Sequence, residues 1–99
     1  MTAIFRVGYS GVVRASLKQL LEETLRRDPP LGRRPLDAAK TIDARLRAAA
    51  RDCGEVCFVR PDLALEVRLA VVPPLAVTFA VHQQLDVVFV QRFDLLSGT

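Results

Sequence analysis

The stretch "VRLAVVPPLAVTFAVH", residues 67–82, constrains the fold of this chain more than any other. It is almost wholly apolar, yet two prolines sit at its centre, and Arg68 and His82 bracket only 13 residues. A membrane-spanning helix needs about 20 unbroken residues, and proline inside a helix costs about 3 kcal/mol or more. The stretch therefore reads as two β-strands joined at Pro73-Pro74. Leu65, Val67, Leu69 and Val71 share one face of the first strand, and Leu75, Val77, Phe79 and Val81 share one face of the second. For those sets to meet across a ladder the turn must hold an odd number of residues, because a two-residue turn sets Phe79 opposite Arg68. Proline also fits poorly at the third position of a type I turn. The alternation thus predicts a three- or five-residue loop, with Glu66, Arg68, Ala70, Ala76, Thr78, Ala80 and His82 on the other face.

The remaining elements follow from periodicity. "AIFRVGYS" reads as a short strand with Phe5, Val7 and Tyr9 on one side and Arg6 on the other. Ser10 then caps a helix whose stripe is Val13, Leu17, Leu20, Leu21 and Leu25, and "RRDPPLG" ends it. A second helix starts near "RRPLD", carries Leu36, Ala39, Ile42, Leu46 and Ala49 inward, and stops at Gly54. After Gly54 the period changes to two. "VCFV", "LALEVRLAVV", "LAVTFAV" and "DVVFVQRF" read as four strands. An odd turn before the last of them, such as Gln83-Gln84-Leu85, would send Val87 and Phe89 to the core and Arg92 to the face of Arg68. The expected fold is α+β: an N-terminal strand, a two-helix hairpin, then an antiparallel β-meander with the helices on one sheet face. Residues 1–99 are read as one domain. The other sheet face would be an open trough lined by small residues.

Composition narrows the function classes. Half the residues are apolar and a quarter charged, which is globular rather than disordered. No secretory signal is visible at the N-terminus, so the expected location is cytoplasmic. Residues 1–52 carry eleven Arg/Lys against six Asp/Glu, or +5, whereas residues 53–99 carry three against five, or −2. No block of like charges suggests a nucleic-acid-binding tail. Cys53 and Cys57 are read as free thiols. With one histidine in the chain, a metal site would have to recruit carboxylates, and neither metal nor cofactor is expected.

This order of elements resembles the RelE/ParE superfamily of bacterial toxins, from the plasmid-stabilising type II toxin–antitoxin modules. The similarity runs from "FRVGYS" through the helix end "RDCGE" and the strands "LEVRLAV" and "LAVTFAV" to the closing "VVFVQRF". It implies a small toxin held inactive by a cognate antitoxin, with the ribosome and mRNA, or DNA gyrase, as target. Exposed apolar strands also leave room for a homodimer. On this resemblance Arg68 and Arg92 match the family's basic strand positions and would clamp phosphate. His82 and Glu66 are the titratable side chains nearby for proton transfer. The chain departs from the ribonuclease branch at two places. Leu75 and Ala76 stand where an arginine is often found, and no tyrosine, histidine or lysine follows Arg92. Two alternatives therefore stand beside the toxin: a non-toxic, inactive interaction module, and an RNA-binding protein without catalysis. The last is disfavoured for want of a surface aromatic pair suited to base stacking, and because the C-terminal half is acidic. Arg68 also has a purely structural reading, as the partner of Glu66, Asp94 or a helix acid.

Overall fold

The computed structural model describes residues 4–96. The chain runs β1 (Arg6–Tyr9), α1 (Gly11–Arg27), a 3-10 turn, α2 (Arg34–Ala49), a second 3-10 turn (Ala50–Asp52), β2 (Glu55–Arg60), β3 (Leu65–Val72), β4 (Leu75–His82) and β5 (Val87–Leu95). The five strands form one mixed sheet in the order β1-β5-β4-β3-β2. Strands β2 to β5 are the expected antiparallel meander, and β1 adds parallel to β5. No helix among the described residues is long and apolar enough to cross a membrane.

Both helices pack on one face of the sheet. Ile42 and Leu46 of α2 and Val13 of α1 meet Val77, Phe79, Val81, Val88, Val90 and Phe93 in a single core. Burying a side chain the size of Phe79 contributes about 2–3 kcal/mol. Ser10 caps α1 as expected, its Oγ accepting from the Val13 amide at 3.1 Å. The α1 stripe is narrower than the leucine spacing predicts. Leu17 and Leu20 pack on the core, but Leu25 is 57% exposed. Thr24 is buried instead, its hydroxyl satisfied by the Leu20 carbonyl at 2.7 Å. In α2 the buried set is Pro35, Ala38, Ala39, Ile42 and Leu46.

The hairpin turn corrects the sequence expectation. Pro73 and Pro74 alone make it, with a cis peptide between them, and Val72 pairs with Leu75. Cis proline at the third position defines the type VI turn, where proline is required, whereas type I disfavours it there. The turn is even, so Arg68 does stand opposite Phe79. Leu65, Val67, Leu69 and Val71 therefore face away from the helices, while Glu66, Arg68, Ala70 and Val72 face them.

The last strand differs too. Its connection is the four residues 83–86, and Val81 pairs with Val88. Val88 and Val90 enter the core in place of the expected Val87 and Phe89, which lie on the bare face. A bulge at Gln91 then flips the strand, so that Phe93 pairs with Val77 in the core and Arg92 pairs with Thr78 on the bare side. Arg92 thus reaches the open face, but not the face of Arg68 as expected, because Arg68 points to the helices.

Candidate functional site

The four residues singled out from the sequence do not form one site. Arg68, Glu66, Arg51 and His82 line a concavity of about 330 Å3 on the β3–β4 side of the molecule. Arg92 lies across the sheet from Arg68. A phosphate held by both arginines would have to pass through the sheet.

Arg68 is committed to the fold. Its residue is 9% exposed, and its Nε and Nη2 donate to the carbonyls of Cys53 and Gly54 at 2.9 and 3.2 Å. Its Nη1 donates to the Glu66 carboxylate, so the charge is paired where it is desolvated. This arrangement ties the end of the helical hairpin to the middle of the sheet. Gly54 completes the joint at φ +71°, since a Cβ there would lie 2.2 Å from the Leu69 carbonyl oxygen. Cys53 is half-buried, and burial pushes its thiol pKa up against the pull of Arg45 and Arg68, which removes nucleophilic character. Both cysteines are free thiols.

His82 has a structural task as well. Its Nδ1 accepts from the amides of Gln84 and Leu85 at 3.1 and 3.0 Å, folding the β4–β5 loop back on the strand end. The neutral ring then carries its proton on Nε2. Arg51, which the sequence reading did not single out, holds the same loop. It donates to Asp86 and to the carbonyls of His82 and Leu85, and its guanidinium lies 4.9 Å from the centre of the Phe5 ring. No local motif marks such a residue; only the loop's return past the end of α2 gives it partners.

Arg92 is well exposed and paired with Asp94 two residues on, at 2.9 Å. Apart from Thr78, Asp94 and Glu55, the bare face around it is apolar. Phe58, Leu69, Val71 and Phe89 are all substantially exposed there, around a strip formed by Ala76, Thr78 and Ala80 of β4. The expected trough of small residues is present, but its walls are large aliphatic and aromatic side chains. Phe58 and Phe89 are surface aromatics, 53% and 47% exposed, but they are too far apart to stack on one base. They stand on strands separated by β3 and β4.

A further groove, of about 800 Å3, runs between α1 and the proline turn, floored by Leu20, Leu31, Pro73, Pro74 and Leu96. At the opposite end of α1, Tyr9 donates to Asp43 at 2.6 Å and Asp43 accepts from Arg47 at 2.8 Å. Among the described residues no group of three His, Cys, Asp or Glu side chains is placed to hold a metal ion. Comparisons with protein-family models, with curated proteins and with solved structures return no match for this chain.

Proposed function

We propose that the chain is a RelE/ParE-like toxin component of a type II toxin–antitoxin module that arrests growth by binding its translation or replication target, without cutting RNA. The order strand, helical hairpin, meander supports this reading, with both helices on one sheet face. One observation carries the emphasis on binding. Arg68 is consumed by backbone carbonyls and Glu66 on the helix side, while Arg92, paired with Asp94, stands on the other. Metal-independent RNA cleavage needs a base, an acid and cations converging on one phosphate, and no such convergence is present among Arg68, Arg92, His82 and Glu66.

The bare apolar face suits a protein surface better than a polyanion, because Asp94 and Glu55 share it with Arg92. The same feature favours a second reading, a non-toxic RelE/ParE-like interaction module. Controlled induction in a bacterial host separates the two. The toxin reading expects growth arrest, relieved by co-expressing the product of an adjacent small gene, with no new mRNA ends by primer extension. Unimpaired growth at high expression would leave only the interaction module. Site-specific mRNA cleavage that Arg92→Ala or His82→Ala abolishes would overturn the binding mechanism.

A further inference from the structure

The greasier side of β3 points away from the helices. Leu65, Val67, Leu69 and Val71 lie on the bare face; Val67 is already covered at 3% exposed, but Leu69 and Val71 are 39% and 50% exposed. Such a pattern spends apolar residues on a surface that water should occupy, and a contiguous patch of this kind marks an interface.

The register shows what the patch fits. Reading across the bare face, one row is Phe89, Ala80, Val67 and Phe58; the next is Arg92, Thr78, Leu69 and Glu55; the third is Asp94, Ala76 and Val71. The β4 column is small and the β3 column beside it is large. A two-fold axis running along the strands between β3 and β4 would lay each β4 on the β3 of a second copy. Thr78 and Ala76 would then receive the partner's Leu69 and the partner's Val71, beside Ala80 and Val67, which each copy already buries. In the same operation Phe89 meets the partner's Phe58, and Arg92 meets the partner's Glu55. Small opposes large, aromatic opposes aromatic and cation opposes anion, each twice, as an isologous contact requires. Of the rim residues, Arg60 falls against the partner's Val87 and keeps its own Asp62, while Arg6 overhangs the outer edge.

We infer that the helix-free sheet face is a homodimer interface, in which two copies pack face to face about a two-fold axis between β3 and β4. Aligned sheets pack about 10 Å apart with strands within about 30° of each other, which the ordinary twist of this sheet permits. The four overlapping strands, β2 to β5, at about 4.8 Å spacing and eight residues at about 3.4 Å offer roughly 500 Å2 per copy. A pair would bury about 1,000 Å2, the floor for a specific interface and the range of weak, reversible association. The pairing goes beyond the functional reading, and because both use the bare face, a target bound there would displace the second copy.

Sedimentation equilibrium on the purified full chain tests it, at loading concentrations on the order of 1–100 µM to bracket the affinity such an area supports. The expected species is a dimer of twice 10.9 kDa. Leu69→Lys and Val71→Lys, both at exposed positions, should each weaken association at least tenfold while the circular dichroism spectrum stays unchanged. Arg92→Glu should also dissociate the dimer, and adding Glu55→Arg should restore it, because the swapped charges meet again across the axis. A monomer throughout the concentration range overturns the inference. So does a dimer indifferent to both lysine variants, which would place the interface elsewhere, or a charge swap that fails to rescue.

Discussion

The guanidinium of Arg68 donates to the carbonyl of Gly54 at 3.2 Å, from a strand position directly opposite the buried Phe79. A charged side chain in that place is a structural part. It fills the helix-facing side of β3 beside Ala70, supplies donors to a chain segment that leaves the helix and enters β2, and is neutralised by Glu66. The residue that looked most like a phosphate ligand is instead what fastens the two layers.

Arg68→Ala should therefore destabilise the domain by about 2–4 kcal/mol, since it strands the Cys53 and Gly54 carbonyls and leaves Glu66 partly buried without its partner. Arg92→Ala should change stability by no more than about 0.5 kcal/mol, because an exposed pair with Asp94 contributes little. Urea denaturation of the two variants side by side, at a protein concentration low enough to keep the chain monomeric, checks the contrast. Equal losses would contradict the different roles assigned to the two arginines.

At Gly54 any side chain meets backbone. Gly54→Ala places its Cβ against the Leu69 carbonyl and Ala70 Cα, at a positive φ that L-residues avoid. The clash cannot be relieved by rotating a side chain, so the expected cost is on the order of 3 kcal/mol or more. Thermal unfolding should show a clear drop in Tm, and a variant as stable as the parent would mean that β2 and β3 approach each other less closely than described.

The Tyr9–Asp43–Arg47 chain predicts a pH dependence with two arms. Burial raises the Asp43 carboxyl, but hydrogen bonds from Arg47 and Tyr9 outweigh it and leave the pKa below its ordinary 3.8. The ionised form is favoured by folding, so its contribution is present above about pH 4 and is lost as pH falls through the lowered value. Tyr9 is shifted the other way. Burial first, then the Asp43 hydrogen bond and charge, push the phenol well above its ordinary 10.0. Its contribution is intact below about pH 10 and is lost as pH rises beyond that. Stability measured against pH should fall at both ends. Asp43→Asn should flatten part of the acid arm, and Tyr9→Phe part of the alkaline arm. If neither substitution alters the profile, the chain does not couple to folding.

Much of the architecture was legible because its signals are local. Periodicity and caps place both helices: Ser10 starts α1, the Pro29-Pro30 pair follows its end, and Pro35 lies in the first turn of α2. Alternation finds all five strands, and it sends Val7 and Tyr9 inward with Arg6 outward, as observed. The candidate site was legible only as an inventory of residue types, and the structure divides that inventory between two faces.

What the sequence determined by itself was the order of the elements and the apolar face of β4, since Leu75, Val77, Phe79 and Val81 leave that strand no second choice. What only the tertiary structure decided was which side of β3 and β5 turns inward. Strand alternation has a period of two, so one residue more or less in a turn exchanges the faces. Here the decision rests on a two-residue proline turn and on a bulge at Gln91, neither of which the alternation itself encodes. On β3 both faces can be buried: the outer by its own hydrophobicity, the inner because Arg68 finds two carbonyls and a carboxylate that exist only once Gly54 has packed against Leu69.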